Sequence, residues 1–359
     1  MAMKARKRVK TSSSSTTASA RARTTPRPKR RAKLEFRPVE RHDRATVARI
    51  CRRTWHGWDY LMLFFNRWVR EPDFLGAARA GRLVGFAKAT ELAPGHWWME
   101  GLRVDPAERH KGIATALSAE LLRRTLARSP VSVRLATTDE NAYSLAVIRR
   151  TGFRELYRSG MFRAAPPPAT PGPAPVRVGA EEAGRFLAAS RELAANRGLL
   201  PHTWHFAPCD RTLLARLARQ GALLGYRRGG RLSGLLIVRP HRYRPKDLDI
   251  SFAGGEDAAV AGFRAYLGRR ARRCGTETVS TMAASPVMRT VVRRLGLKPH
   301  RGLRRVYVLE YPVAGDQEPA SRSDWAGRSS APPTRRSARS SGGRCRRAPA
   351  TSRHRTGSA

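Results

Sequence analysis

HWWMEGLRVDPAERHKGIATAL, residues 96–117, joins a strand pattern to a helix pattern through a short basic loop. Apolar and polar residues alternate from Trp98 through Glu100, Leu102 and Val104, the period-2 pattern of a strand, and Asp105-Pro106 stops it. After a short basic loop, Ile113, Leu117, Leu121 and Leu122 recur at helical spacing. A strand that feeds a helix in this way aims the unpaired N-H groups of the helix start at one place.

The loop is Arg109-His110-Lys111-Gly112-Ile113-Ala114. A glycine lets the backbone approach a ligand closely, successive N-H groups converge, and the helix dipole adds positive potential where three basic side chains already stand. That make-up suits a pyrophosphate.

Working outward, the chain has 359 residues, room for about two ordinary domains. Its net charge of +44 is unevenly placed. Residues 1–33 hold twelve Lys/Arg and no acid, residues 314–359 hold ten against three acids, and the remaining +25 lies between. Such a surface attracts nucleic acid and other polyanions without specificity, and no nucleic-acid-binding motif accompanies it. Only 9 of the 71 basic residues are Lys, and Ala, Gly and Pro abound, so compositional bias accounts for the charge.

Cys51, Cys209, Cys274 and Cys345 show no CxxC spacing, so the sequence indicates neither a metal site nor a disulfide framework, and a cytoplasmic, reducing location is expected. Cys51 falls on the apolar face of an expected helix. No apolar run is long enough to cross a membrane, and the expectation is no membrane partner. Residues 1–33 share their Arg- and Ser/Thr-rich, acid-free composition with organelle transit peptides; they read as a basic disordered tail first and a targeting segment second. Residues 314–359 read as a second disordered tail.

Between the tails, LEFRPV predicts a strand, Asp43 caps a helix bearing Val47, Ile50 and Cys51, and a helical segment at 59–70 is apolar on more than one face. Two strands joined at Gly81-Arg82 follow, then the strand and helix already read, then a buried strand VSVRLATT, a helix at 140–150 and a strand FRELY. The order β, α, α, β, β, β, α, β, α, β predicts a mixed α/β sheet with helices on both faces over residues 34–164. APPPATPGPAP, residues 165–175, is a proline-rich linker. Beyond it residues 176–313 repeat the pattern, with helices at 180–197 and 210–220, a hairpin, the strand LDISF and a helix at 257–273. In this copy the loop is AGGEDAA, where Glu256 and Asp257 stand in the place of phosphate-binding groups and would repel a pyrophosphate.

The stretch at 96–117 resembles motif A of the GNAT superfamily of N-acetyltransferases, whose loop runs Arg or Gln, two residues, Gly, one residue, Gly or Ala. WHGWDYL (residues 55–61), Trp68, Glu71-Pro72 and the run Glu100-Gly101-Leu102-Arg103-Val104 resemble the histidine N-acetyltransferase-like branch, which pairs an acetyltransferase domain with a degenerate second one. The resemblance implies an acyl-CoA N-acyltransferase fold in two tandem copies and acetyl-CoA as co-substrate. It also implies a primary amine on a small amino acid or similar molecule as acceptor. Main-chain groups of Leu102 and Val104 would hold the pantetheine arm, and the pyrophosphate role passes to Arg109, His110, Lys111, Gly112, Ile113 and Ala114. Asp59 and Tyr60 would lie near the acceptor, as a carboxylate for its ammonium and an aromatic wall.

Glu100 shares strand parity with Leu102 and Val104. On an apolar face beside Trp98 its carboxyl would have a raised pKa and take the amine proton; alternatively it pairs with one of many arginines. Asn141 either bonds the pantetheine arm or caps its helix. Where many family members place a tyrosine as general acid for the departing thiolate, this chain has Ile148, so Tyr143, Tyr60 or water takes the role or none is needed. Protein acetylation steered by the basic tails and non-catalytic acyl-CoA binding are the rival functions.

Overall fold

A computed structural model describes residues 33–54 and 59–313. Both tails expected from the sequence, apart from Lys33, and residues 55–58 of the WHGWDYL run lie outside the described residues. The first copy comprises β1 (Leu34–Pro38), α1 (Arg44–Arg52), α2 (Leu61–Trp68), β2 (Phe74–Arg79), β3 (Arg82–Ala93), β4 (His96–Val104), α3 (Ile113–Leu126), β5 (Ser132–Thr138), α4 (Ala142–Arg150) and β6 (Arg154–Ala164). The helices form where apolar residues share one side: Val47, Ile50 and Cys51 of α1 and Leu61, Phe65 and Trp68 of α2 are buried. Asp43 does sit at the N-cap of α1, but its carboxylate turns away to Arg37 (2.7 Å) and the Glu40 N-H (2.9 Å).

The second copy comprises β7 (Val176–Arg177), α5 (Ala180–Ala188), α6 (Arg191–Ala195), β8 (Leu199–His202), β9 (His205–Pro208), α7 (Arg211–Arg219), β10 (Leu223–Arg228), β11 (Arg231–Pro240), β12 (Leu248–Gly255), α8 (Asp257–Cys274), β13 (Val279–Ala283), α9 (Pro286–Arg294), β14 (Lys298–Pro299) and β15 (Val306–Tyr311). The single helix expected at 180–197 breaks in two because Ser190 caps a new start, its hydroxyl accepting from the Leu193 N-H. The hairpin β8-β9 has no counterpart in the sequence reading.

Both copies share one 13-stranded sheet in the order β1-β2-β3-β4-β5-β15-β6-β13-β12-β11-β10-β7, with β14 beside β6. The last strand, β15, lies between β5 and β6 of the first copy, while the far end of β6 pairs with β13 of the second. Each copy therefore completes the other's sheet, and Trp98, Tyr157, Phe206, Met282 and Val308 form a buried cluster drawn from both. The linker is extended, as its prolines require, and lies along α8: Arg269 donates to the carbonyls of Thr170 (2.7 Å) and Pro173 (2.9 Å). Gly268 faces Pro168 so closely that a Cβ there would stand 2.3 Å from the carbonyl oxygen.

Candidate active site

The parting of β4 from β5 positions everything else. The two run parallel only through His96-Ser132, Trp97-Val133 and Trp98-Arg134; among the described residues nothing pairs with the β5 side of β4 from Met99 onward. That free edge, which includes Leu102 and Val104, ends at the basic loop. Asp105 accepts from the Ala107 N-H (3.2 Å) and is held by Arg49 (2.8 Å), which sets the turn that follows the strand.

His110 and Gly112 both adopt left-handed backbone, φ 59° and 77°. Two such residues flanking an ordinary one fold the N-H groups inward toward one anion. Gly112 is the N-cap of α3 and has no side chain with which to cap it, and the first helical bond runs from the Ala116 N-H to the Gly112 carbonyl. The N-H groups of Ile113, Ala114 and Thr115 therefore point out of the helix start. Nothing lies within 4 Å of where a Gly112 Cβ would be, so the cradle is open. Arg109 and His110 are exposed beside it, whereas Lys111 turns back to the Ala107 carbonyl (2.9 Å) and Glu108 (3.3 Å). These residues fit a pyrophosphate through main-chain groups, with less side-chain charge than the composition suggests.

Glu100 lies two residues past the last β4-β5 pair. Between it and Arg103 the strand bulges: the register with β3 passes from Lys88-Glu100 to Phe86-Arg103, and Gly101 takes φ 70°. The extra residue reverses the alternation. Leu102 and Val104 consequently pack against the α3 core, while Glu100 shares the opposite face with Trp98 and Arg103. The expected common parity of Glu100 with Leu102 and Val104 is thus corrected by the bulge.

On that face Glu100 is buried and doubly bonded. Thr90 Oγ1 donates to its Oε1 at 2.7 Å, and His205 of β9 stands 3.0 Å from its Oε2. Burial alone would raise the Glu100 pKa, but the charge and hydrogen bond of His205, the nearby Arg242 and the Thr90 bond outweigh it, and the result is a lowered value. The raised pKa expected for Glu100 is therefore also corrected: the isolated apolar face that would have raised it is crossed by the second copy's polar groups. Burial lowers the His205 pKa despite Glu100, so at neutral pH a neutral imidazole donates Nε2-H to a carboxylate.

Around this pair stands an aromatic wall. Tyr60 stacks on Tyr243 with centroids 4.4 Å apart, and Phe64 and Trp68 pack edge-on or stacked beside them. Tyr60 belongs to this wall. Asp59 lies there too, but in a different role: Arg103 clasps it with Nε-Oδ2 2.7 Å and Nη2-Oδ1 3.2 Å, and Thr54 and the Leu61 N-H also bond it. A carboxylate already matched this fully is not the counter-ion for an ammonium.

Tyr143 is not brought to Glu100. It is 76% exposed at the start of α4, its ring edge-on to His110 at 5.5 Å, because the first turn of that helix faces the basic loop. Asn141 caps α4 through the Ser144 N-H (3.2 Å), the second of its two expected roles. Ile148 is buried in the α3 core, so no phenol is accommodated at that position without displacing packing.

The sequence reading missed His205, Arg242 and Tyr243, all supplied by the second copy. The alternation in LLPHTWHF after Gly198 was the available signal for β8-β9, but nothing local told that the hairpin crosses β3 and β4. Its placement is built from buried polar contacts: Asp249 accepts from the Thr203 N-H (2.8 Å), Arg239 donates to the Pro201 carbonyl (3.1 Å) and the Arg242 N-H donates to Thr203 (3.3 Å). In the second copy's own loop Glu256 and Asp257 are paired with Arg228 and Arg294, and Glu192 accepts from the Ser285 N-H (2.7 Å) and Ala284 N-H (2.9 Å) at the start of α9.

Residues 44–153 match the model of the acetyltransferase (GNAT) family. No curated protein matches the chain significantly. Among solved structures, a GCN5-related N-acetyltransferase from Sphaerobacter thermophilus is 13% identical with a TM-score of 0.56, the match covering 78% of this chain and 96% of that one. A GCN5-related glucosamine N-acetyltransferase region of a fungal multi-domain GH3 β-N-acetylglucosaminidase is 15% identical with a TM-score of 0.53, over 78% of this chain and 38% of that one. A tandem GNAT protein from the clavulanic acid biosynthesis pathway, solved without AcCoA, is 17% identical with a TM-score of 0.50, over 80% and 100%. At these identities the solved structures speak for the fold alone: the chain carries the acyl-CoA N-acyltransferase fold in two tandem copies, and its residues 44–153 are similar to the GNAT acetyltransferase family.

Proposed function

We propose that the chain is an acetyl-CoA-dependent N-acetyltransferase whose acceptor is a primary amine on a small, amino-acid-like molecule. The observation that carries this is the place of Glu100: a buried, ionised carboxylate just past the point where β4 leaves β5, on the same strand that ends in an open anion cradle.

In this reading the N-H groups from His110 to Ala114, with the exposed Arg109 side chain beside them, hold the pyrophosphate, and the free edge at Leu102 and Val104 aligns the pantetheine arm as an added strand. The acceptor amine meets Glu100 as an ammonium; the carboxylate, held low by its partners, orients it and relays its proton onward to water, with His205 and Thr90 fixing the carboxylate. The amine nitrogen then attacks the thioester carbonyl carbon, the carbon-sulfur bond breaks, and the thiolate leaves. A thiol of pKa about 8.5 departs at neutral pH without a dedicated acid, so Tyr143 is assigned to the wall of the coenzyme loop and Tyr60 to the wall of the acceptor pocket. The branch resembling histidine N-acetyltransferases fits the aromatic wall.

Thiol release from acetyl-CoA, followed against a panel of amino acids and polyamines, tests the reading. Turnover of at least one small amine, sharply reduced in Glu100→Gln, is expected. Coenzyme binding with no transfer to any amine would sink it.

A further inference from the structure

The face that holds Glu100 carries polar groups the fold does not use. Tyr243 is 8% exposed, and among the described residues its buried hydroxyl has no hydrogen-bond partner; the same holds for Nε1 of the fully buried Trp68 and for Nη1 of Arg242. Buried donors are paired in nearly all native structures, so three in one aromatic cluster point to a partner that is not protein.

Charge narrows what that partner carries. Asp59 and Arg103 neutralise each other, Glu100 is negative, and Arg242 forms no ion pair among the described residues. The Arg242 guanidinium lies over the rings of Phe64 (5.5 Å) and Tyr243 (5.9 Å), within electrostatic reach of Glu100. The pocket thus presents one negative and one positive group that attract each other but share no hydrogen bond or ion pair among the described residues, beside a wall of aromatic rings. A planar guanidinium with a free edge is the side chain best matched to a carboxylate.

The backbone at both residues is fixed by side chains of the second copy, and the Tyr243 ring by the first. The Arg242 N-H donates to Thr203 (3.3 Å), the Tyr243 N-H donates to His241 Nδ1 (3.2 Å), and the Tyr243 ring is clamped against Tyr60 at 4.4 Å. Groups held this way are preorganised and lose little freedom when a ligand arrives.

We propose that Arg242, with the Tyr243 hydroxyl, is the receptor for a carboxylate borne by the acceptor, which is therefore a zwitterion with its amine at Glu100 and its acid group on the second copy. The placement of the amine rests on the acetyltransferase reading above; the anion receptor does not. The consequence is a division of labour in which the first copy performs transfer and the second selects the acceptor. It also disfavours an amine that lacks a nearby acid group, including the N-terminus of a longer peptide.

The test uses the full chain and three matched pairs: phenylalanine and phenethylamine, histidine and histamine, lysine and cadaverine. Thiol release from acetyl-CoA should give a kcat/KM about 100-fold higher for the acid than for its decarboxylated partner in at least one pair, since a site built around a polar group rejects the analogue lacking it. In Arg242→Gln that ratio should fall below about tenfold, and Tyr243→Phe should lower it less. Should Arg242→Gln melt early, Arg242→Lys, which keeps the charge and loses the planar fork, should lower the ratio about tenfold. A wild-type ratio near one in every pair, or an unchanged ratio in a stably folded Arg242 variant, overturns the proposal while leaving acetyl transfer intact. If no amine is turned over, calorimetry with the same six compounds decides: heat from an acid but not from its partner, lost in the Arg242 variants, supports the receptor, and equal or no heat overturns it.

Discussion

His205 Nε2 lies 3.0 Å from Glu100 Oε2, and this bond joins β9 of one copy to β4 of the other at the point where the sheet opens. Glu100→Gln should lower kcat/KM by about 10²- to 10⁴-fold, the usual worth of a positioned general base. His205→Gln, which keeps a donor, should retain more activity than His205→Ala. An NMR titration of the His205 ring should show a midpoint below 6.5, because burial outweighs the attraction of Glu100.

Gly112 holds φ 77° with open space where a Cβ would go. Gly112→Ala therefore costs conformation and not collision, about 1–2 kcal/mol for a left-handed residue, and Gly112→Glu adds a negative charge to the cradle. Coenzyme binding by calorimetry should weaken modestly in the first and severely in the second. Equal affinities in all three proteins would place the pyrophosphate elsewhere.

Asp59 and Arg103 form a bidentate pair whose side chains are 1% and 10% exposed. Removing one charge strands the other, so Arg103→Met should lose about 3–5 kcal/mol in denaturant unfolding. Pairing it with Asp59→Asn should recover a large part of that loss.

Burial lowers the pKa of His202 to about 3 and of His241 to about 4, with repulsion from nearby arginines acting in the same direction, and the buried His205 is lowered too. The fold thus keeps these rings neutral while the unfolded chain protonates them near 6.5, so stability present above that pH is lost as pH falls below it. Asp249 opposes the trend, since burial raises it to about 6 and the fold favours its neutral form. Three rings against one carboxyl predict a melting temperature that drops between pH 7 and pH 5, and less so in His202→Gln, which can still donate to the Pro240 carbonyl.

The strand β15 sits between β5 and β6, with Arg134 and Glu310 bonded across it at 2.6 Å. A chain ending at Arg305 loses the middle of the first copy's sheet although it keeps residues 34–164 whole. Loss of cooperative melting and of coenzyme binding together is expected; a truncated chain that still binds would show that the first copy closes its sheet unaided.

Local physics was legible in the sequence wherever neighbours in the chain do the work. The alternation of β4, its stop at Asp105-Pro106, the glycine that starts α3 and the order of elements in the first copy all follow from short-range pattern, and the proposed anion cradle is made of consecutive N-H groups. Three things needed the tertiary structure. The bulge at Gly101 turned Glu100 to the face opposite Leu102 and Val104, because one extra residue reverses every later side chain in a strand of period two. Burial with Arg103 took Asp59 out of play, since ion pairs between residues 44 positions apart carry no local signal. And β15, His205, Arg242 and Tyr243 reached the first copy only because the two copies exchange strands and share one sheet, a pairing between segments more than 100 residues apart that periodicity within either segment leaves undetermined.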